Sequence, residues 1–189
     1  MGSLNLFKTA KDYYCLGLWL ADGYWWSSSI GLSSTSNIFL ARFRTFLKKV
    51  CPTHPIKERV YKPKEGYKRK LIAKHVYVNS RPLTRDFMVI KHKSKLAIPL
   101  KFIPAYLAGR IDGDGHVDRK HRTGIRIVYS NKEDAVRDLD LLKKLQDNPA
   151  SLYQYEKANT WVLYFRKSFL NNIQPEIAKF AYKLRFIAP

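Results

Sequence analysis

A motif near the start of the chain recurs in its second half. Residues 13–23 read YYCLGLWLADG and residues 105–115 read AYLAGRIDGDG, so each copy is an apolar helical stretch that ends in an acidic residue followed by glycine. The two acids, Asp22 and Asp114, stand about half of the 189-residue chain apart. Each copy precedes the same order of patterns: a strand pair, an amphipathic helix, a second strand pair and a closing helix. The repeat therefore predicts an α+β fold of two pseudo-symmetric αββαββα units.

Local signals set the ends of several helices. Thr9 and Asp12 have the spacing of a capping box at the start of the first motif helix, and Pro104 suits the first turn of the second. The closing helices are predicted over residues 81 to about 91 and 167 to about 185.

The joint between the two units is predicted at about residues 92–99. We accordingly expect an N-terminal repeat over residues 1–95 and a C-terminal repeat over residues 96–189. Two units of this length are within the usual range for domains, and a content of 46% hydrophobic residues is enough to build their cores.

The charge of the chain predicts a polyanionic partner. Its 35 basic and 15 acidic residues give a net charge of +20, and duplex nucleic acid favours such a surface because each neutralised phosphate releases counterions. No segment reads as a membrane span or a secretory signal, so we expect a soluble intracellular protein. The two cysteines and five histidines have no metal-ligand spacing, which argues against a structural zinc or a disulfide framework.

Small residues stand four apart in both motif helices: Gly17 with Ala21, and Gly109 with Gly113. This spacing places them on one helical stripe, where another backbone can approach closely. The natural partner of each stripe is the other motif helix. Such packing would bring Asp22 and Asp114 together.

Two carboxylates at the ends of adjacent helices repel each other and oppose the helix dipoles. Bound divalent cations would compensate both effects, and hard oxygen ligands suit Mg²⁺ in particular. Paired metal ions can promote phosphodiester hydrolysis. The alternative is that each acid is a solvated residue before a glycine C-cap, but only five acids occur in the first 95 residues, which makes the repeated one conspicuous.

The repeated motif resembles the signature of a known family. Residues 107–115, LAGRIDGDG, differ from the LAGLIDADG signature at two of nine positions, and residues 15–23, CLGLWLADG, are a looser copy. The chain is thus similar to the single-chain, two-motif LAGLIDADG homing endonucleases, and the similarity extends over nearly the whole sequence.

The resemblance implies a fold and an activity. It implies a monomer in which two four-stranded antiparallel sheets form a saddle over double-stranded DNA. It also implies Mg²⁺-dependent cleavage of both strands of a long asymmetric target with 3′ overhangs, by an intron-encoded enzyme. Two or more divalent ions are expected, with Mn²⁺ able to substitute and Ca²⁺ supporting binding without cleavage. The compartment would be the cytoplasm in an archaeal host and an organelle in a eukaryotic one.

The resemblance also assigns the metal site. The metal-binding acids fall on Asp22 and Asp114, and the residues before them, Ala21 and Gly113, would lend backbone carbonyls. Leu20 replaces the first acid of the signature, whereas the second copy keeps Asp112. We interpret Leu20 as a packing change, but a one-sided acidic site of Asp112 with Asp114 remains open at this stage.

Further polar residues follow from the family pattern. A basic residue near the end of each repeat, which organises solvent around the metals, would be Lys95 and Lys183. Other nearby lysines compete for this role. Polar residues at the ends of the second strands, which touch the metal's water shell, would be Ser34 and Asn131. Both are equally suited to capping the next helix.

The DNA-facing surface is predicted from strand alternation, since a two-stranded ribbon fits the major groove. Arg is suited to guanine edges and Lys to phosphates. Some strand aromatics could stack on bases, but such residues are expected more often in a core. They are Trp25, Trp26, Tyr153, Tyr155 and Trp161. The predicted DNA-binding residues are Lys57, Arg59, Tyr61, Lys68, Lys70, Arg119, Arg122 and Arg126.

The helix over residues 132–144 carries Glu133, Asp134, Asp138 and Asp140. Its acidic pattern predicts an outer, solvated face.

Two other functions fit the same fold. An RNA maturase or a non-cleaving DNA-binding protein would share the fold and the charge. Retention of both Asp22 and Asp114 favours cleavage, because a protein that only binds has no need to hold two repelling acids together. A ribosome-associated basic protein would explain the charge but not the repeated motif.

Overall fold

The computed structural model describes residues 6–61, 72–118 and 124–184. The order of elements is the predicted αββαββα pattern, twice. The helices are α1 (Ala10–Asp22), α2 (Asn37–Val50), α3 (Arg81–Lys91), α4 (Ile103–Asp114), α5 (Lys132–Lys143) and α6 (Lys167–Ala178). The strands are β1 (Gly23–Trp26), β2 (Ser29–Ser34), β3 (Lys57–Val60), β4 (Lys74–Asn79), β5 (Gly115–Val117), β6 (Ile125–Tyr129), β7 (Ala150–Tyr155) and β8 (Thr160–Phe165).

The strands form two four-stranded antiparallel sheets with the same topology. Their orders are β1-β2-β4-β3 and β5-β6-β8-β7. The predicted α+β fold of two αββαββα repeats is therefore confirmed.

The predicted helix starts at Thr9–Asp12 and Pro104 are confirmed, whereas the predicted end of the last helix is wrong. The Thr9 N–H donates to Asp12 Oδ2 at 2.8 Å, and Pro104 lies in the first turn of α4. The closing helix α6, however, ends at Ala178 rather than near residue 185. The chain continues as a turn through residues 182–184, where the N–H groups of Tyr182 and Lys183 donate to Asp112 of α4.

Packing divides the described residues into two compact units. The first unit comprises Asp22–Lys91 together with Leu6, and the second comprises Phe7–Ala21 together with the described residues from His92 onward. Helix α1 thus packs with the second unit up to Ala21. The repeat limits at residues 95 and 96 concern the duplication of the sequence and stay a prediction.

The core of the first unit lies between one face of its sheet and the helices α2 and α3. In β2 and β4, Ile30 pairs with Val78 and Leu32 with Val76, and all four side chains are buried. They face the sheet side covered by α2 and α3, whose buried residues include Phe43, Leu47 and Phe87. On the opposite face of the sheet, Lys57 and Arg59 are exposed and His75 and Tyr77 are half-buried.

The core of the second unit is built around α4, which is almost fully buried along its length. Gly17 of α1 and Gly109 of α4 allow the two helices to touch backbone to backbone. A Cβ added at Gly17 would overlap the Tyr106 carbonyl oxygen, and one added at Gly109 would overlap the Tyr14 carbonyl oxygen. The prediction that the motif helices pack through these glycines is confirmed.

The replacement Gly17→Ala or Gly109→Ala is expected to destabilise the protein by about 2 kcal/mol or more. Alanine favours a helix over glycine by about 1 kcal/mol, but overpacking against rigid backbone costs about 1–3 kcal/mol or more. Because the added Cβ would overlap backbone carbonyl oxygens, the overpacking cost at both sites should lie at the upper end of this range. Urea unfolding followed by circular dichroism would measure the loss.

The matched control is Gly124→Ala, where an added Cβ meets no atom within 4 Å. It should leave the free energy of unfolding within about 0.5 kcal/mol of the wild-type value. Equal stability of all three variants would contradict the close helix contact.

Among the described residues, no helix combines the length and the apolar character that a membrane span requires.

Candidate active site at the end of the second motif helix

The candidate site begins where helix α4 ends. Asp114 is the last residue of α4, and its side chain is about one-third exposed (34%). The Gly115 N–H donates to the Ile111 carbonyl, and Gly115 is also the first residue of β5. A Cβ on Gly115 would overlap the Ile111 backbone, so only glycine permits this sharp change from helix to strand. The sharp turn leaves the Asp114 carboxylate at the helix end, open to solvent.

Lys183 lies at the same helix end. Its Nζ donates to the carbonyl oxygens of Gly113, at 2.9 Å, and Gly115, at 2.8 Å. The C-terminal end of a helix carries partial negative charge, which a lysine ammonium neutralises. Of the two predicted lysines, Lys183 is therefore placed beside a motif acid, whereas Lys95 is solvent-exposed in the segment that precedes the short 3₁₀ turn Leu100–Phe102.

Asp112 does not form an acidic pair with Asp114. It is buried, with 1% of its surface exposed. Its Oδ1 accepts from the Lys183 N–H at 2.8 Å, and its Oδ2 accepts from the Tyr182 N–H at 2.8 Å and the Tyr14 hydroxyl at 2.7 Å. The carboxylate is therefore an anchor for the C-terminal turn, and the open alternative of a one-sided acidic site is wrong.

A buried polar network around Arg110 lies next to Asp114. Arg110, where the family signature has leucine, is 1% exposed, and its Nε donates to Asp138 Oδ2 at 2.9 Å. The hydroxyls of Tyr106 and Tyr129 donate to the same carboxylate, at 2.6 and 2.9 Å. The guanidinium also lies over the Tyr129 ring, 4.8 Å from its centroid. These contacts fix the position of the Arg110 cation.

Asp138 corrects the prediction for helix α5. The acidic pattern predicted a solvated face, but Asp138 is fully buried (0% exposed). Its partners are Tyr106 and Arg110 on α4, 32 and 28 residues earlier, and Tyr129 on β6, nine residues earlier. Asp140, by contrast, is exposed as predicted.

The charge of Asp114 depends on opposing effects. Burial raises the pKa of the Asp114 carboxyl, and the Arg110 and Lys183 cations partly offset this rise. Arg110 Nη1 lies 3.7 Å from Asp114 Oδ2 and has no hydrogen-bond partner among the described residues. Burial by itself would lower the pKa of Arg110, but the charge of Asp138 has the opposite effect. The net result is a pKa above the usual value of arginine. Arg110 therefore stays a fixed cation beside the acid.

Two oxygen atoms of the kind that Mg²⁺ prefers lie at this helix end. They belong to the Asp114 carboxylate and to the Gly113 carbonyl, which also accepts a hydrogen bond from Lys183 Nζ at 2.9 Å. No cluster of three or more His, Cys, Asp or Glu side chains that would hold a metal occurs in the described ranges. Mg²⁺ needs no such cluster, because it commonly binds one or two carboxylates and keeps water and phosphate oxygens as its other ligands.

The remaining predicted metal-site residues occupy the expected elements. Asp22 is the last residue of α1, and both Asp22 and Ala21 are half-buried. The Asn131 side chain caps α5, accepting from the Asp134 N–H at 2.8 Å. Ser34 Oγ accepts from the Ser36 N–H at 3.1 Å, but the N-cap of α2 is Ser36, so the expectation that Ser34 caps this helix is wrong. Both polar residues thus have local backbone partners, and their role in a metal's water shell stays a prediction.

The open sheet faces carry the predicted basic residues. Lys57 pairs with Tyr77 and Arg59 with His75 in the register of β3 and β4, so both point away from buried Val76 and Val78. Tyr61 is also exposed. The predicted orientation of this set, and of Arg126 in the second sheet, is confirmed, while contact with DNA stays a prediction. Lys68, Lys70, Arg119 and Arg122 lie outside the described residues.

Several strand aromatics are exposed, which differs from the usual core position of such residues. Trp26, Tyr153 and Tyr155 are 74%, 52% and 48% exposed, and Trp25 is 38% exposed, whereas Trp161 is half-buried. In the second sheet Arg126 Nη1 donates to the Tyr164 hydroxyl at 3.2 Å, and the hydroxyls of Tyr155 and Tyr164 lie 3.0 Å apart. The register of β6, β7 and β8 would have indicated this cluster, but register cannot be read from a single strand.

Comparison with known sequences finds one limited similarity. No protein-family model matches the chain. It is 35% identical over 82 residues to the B subunit of the A-type ATP synthase from Methanopyrus kandleri (strain AV19), a match that covers 43% of this chain but 8% of that protein. So short a share of that protein carries no activity over to this chain.

The similarity to solved structures extends over most of the chain. The homing endonuclease I-DmoI, solved in complex with DNA and Mn, aligns with a TM-score of 0.62 and 15% identity over 87% of this chain and 96% of that chain. The N-terminal LAGLIDADG domain of WhiA aligns with a TM-score of 0.64 and 18% identity over 95% and 88% of the two chains. Full-length WhiA from Thermatoga maritima aligns with a TM-score of 0.57 and 16% identity over 92% and 60% of the chains.

These structures share the two repeated units and the antiparallel sheets found here. The resemblance carried by the two motifs is thereby confirmed, and the chain has the two-motif LAGLIDADG fold.

Proposed function

We propose that this protein is a site-specific DNA endonuclease that hydrolyses both strands of a long asymmetric duplex target and leaves 3′ overhangs. The observation that carries the proposal is the end of helix α4, where the partly exposed Asp114 carboxylate lies 3.7 Å from Arg110 Nη1 and Lys183 Nζ donates to the carbonyls of the two residues that flank Asp114. A protein that only binds DNA gains nothing from a half-buried acid on a basic surface.

The residues of this helix end have distinct roles in the proposed reaction. Asp114 and the Gly113 carbonyl would hold a magnesium ion, which, when bound, lowers the pKa of water and stabilises negative charge on phosphate oxygens. Lys183 adds positive charge where a phosphate develops charge during cleavage. The Arg110 cation offsets part of the rise that burial causes in the pKa of Asp114 and so favours the ionised carboxylate. Asp22, at the end of the other motif helix, is proposed as the second metal-binding acid, with Ala21 lending its carbonyl.

The open sheet faces would bind the duplex. Lys57 and Arg59 project from the first sheet, and Arg126 projects from the second beside the Tyr164 hydroxyl. Arginine held by a fixed hydroxyl is suited to bidentate contact with guanine, and the lysine to phosphate. The net charge of +20 supports binding that weakens steeply with salt. We propose that the protein acts as a monomer.

A second function is favoured by one observation. The exposed rings of Trp26, Tyr153 and Tyr155 would stack on unpaired bases, which is typical of proteins that bind single-stranded nucleic acid. An RNA maturase or a non-cleaving DNA-binding protein would use these rings without needing Asp114 as a metal ligand.

A cleavage selection separates the two functions. A plasmid library with random duplex inserts would be incubated with the protein in Mg²⁺, in Ca²⁺ and in EDTA. The endonuclease proposal expects a small set of related inserts to be linearised in Mg²⁺ only, and the same inserts to be retained by the protein in Ca²⁺. Retention of specific inserts with no linearisation in Mg²⁺ or Mn²⁺ would favour the binding protein instead.

A further inference from the structure

A buried carboxylate binds the backbone of the C-terminal turn at the end of helix α4. Asp112 accepts the backbone N–H groups of both Tyr182 and Lys183, each at 2.8 Å. It also accepts the Tyr14 hydroxyl at 2.7 Å. Because Asp112 is 1% exposed, these bonds are shielded from water, where charge-assisted hydrogen bonds are strong.

The same turn carries the lysine of the candidate site. Ala181 and Leu184, on either side of the anchored residues, are buried. The Lys183 backbone is thereby fixed, and its side chain reaches back to the carbonyls of Gly113 and Gly115 at 2.9 and 2.8 Å. Lys183 is thus held at both ends, by an acid two residues before Asp114 and by the carbonyls around Asp114.

The first motif lacks this device. Leu20 occupies the position equivalent to Asp112 and is buried. A leucine side chain accepts no N–H groups, so it cannot anchor a turn in this way. Lys95, which the family pattern predicts as the counterpart of Lys183, is exposed. The two copies of the motif are therefore chemically unequal.

We propose that Asp112 is a positioning residue that acts through Lys183, so that cleavage at the second copy of the motif depends on an anchor that the first copy does not have. The inference rests on the proposed endonuclease function. Asp112 itself touches no reacting atom in this account. Its effect is to fix the turn from which the Lys183 ammonium reaches the helix end.

The test uses Asp112→Asn, which keeps the size of the side chain. The amide nitrogen would face one of the two N–H groups, so the turn should loosen. We expect the maximal cleavage rate to fall about 100-fold, as displacement of a catalytic group by about 1 Å can do. DNA affinity in Ca²⁺ should change less than about threefold.

Epistasis with Lys183 distinguishes positioning from general stability. In a Lys183→Met background, Asp112→Asn should slow cleavage no further, because the group on which it acts is gone. Since a duplex has two scissile phosphates, strand-specific end labelling should show one strand slowed far more than the other. Asp140→Asn, which removes an exposed acid of α5, is the control and should cleave both strands at the wild-type rate.

Several outcomes would overturn the inference. These are an unchanged cleavage rate in Asp112→Asn, equal slowing of both strands, or a further loss of rate in the Lys183→Met background. Failure of the proposed function looks different, because the wild-type protein would then cut no DNA. In that case amide hydrogen exchange tests whether Asp112 anchors the turn. The Tyr182 and Lys183 amides should exchange at least about 100-fold faster in Asp112→Asn, and unchanged exchange would refute the anchor.

Discussion

Replacing Asp138 with alanine is expected to lower the free energy of unfolding by about 3–5 kcal/mol, the usual cost of breaking a buried ion pair from one side. The Arg110 guanidinium would remain 1% exposed without its carboxylate partner at 2.9 Å. The hydroxyls of Tyr106 and Tyr129 would lose their acceptor at the same time. Urea unfolding followed by tryptophan fluorescence would measure the change.

Asp140→Ala is the matched control on the same helix. Asp140 pairs with Lys143 at the surface at 3.5 Å, and both side chains are about half exposed. Such pairs contribute about 0–1 kcal/mol. A loss of less than about 1 kcal/mol for Asp138→Ala as well would contradict the buried network.

A double replacement distinguishes the cost of an unpaired buried charge from the cost of lost packing. In Arg110→Leu with Asp138→Leu, both charges disappear together and residue 110 takes the residue of the family signature. Replacing a buried pair with apolar residues is often close to neutral, so the double variant should recover part of the stability. Full recovery is not expected, because the two tyrosine hydroxyls remain unpaired.

Replacing Asp114 with asparagine is expected to reduce DNA cleavage by about 10³-fold, a loss typical of removing a main source of charge stabilisation. Asparagine has nearly the same shape, so the helix end and the fold should persist. Its neutral amide oxygen is a much weaker ligand for Mg²⁺ than a carboxylate. Specific DNA binding in Ca²⁺ is expected to persist, since the open sheet faces are unchanged.

Asp22→Asn should have a comparable effect on cleavage, because Asp22 ends the other motif helix. Single-turnover cleavage of a supercoiled plasmid would follow nicking and linearisation separately. Asp86→Asn, which removes another acid of the first repeat outside the motifs, serves as the control with unchanged cleavage. Full activity of Asp114→Asn would instead identify Asp114 as a solvated residue at a helix end.

The sequence predicted those features that depend on neighbouring residues. Alternation of Ile125, Ile127 and Tyr129 with Arg126 sets which side of β6 is buried, and the burial agrees. The same reasoning placed Lys57 and Arg59 on the open face of the first sheet. The glycines of the motif helices indicated close packing because only a missing side chain allows two backbones to touch.

The interior of the candidate site could not be predicted, because its contacts join residues that are distant in sequence. Asp138 looked solvated among acidic neighbours, but its partner Arg110 lies on another helix. A signal was present, since an arginine replaces leucine in an otherwise apolar motif, and a buried arginine requires an acid. Likewise, the pattern of α6 gave no sign of an end at Ala178, because the competing acceptor, Asp112, lies about 70 residues earlier.

The most direct test of the endonuclease account is to map the ends that the wild-type protein produces on a mixture of random duplexes in Mg²⁺. Sequencing of both strands at each break gives the target and the offset between the two cuts. The account predicts paired ends at one long asymmetric target, with a constant short 3′ overhang, and no ends in EDTA or with Asp114→Asn. Ends scattered without a common sequence, or ends that persist with Asp114→Asn, would contradict it.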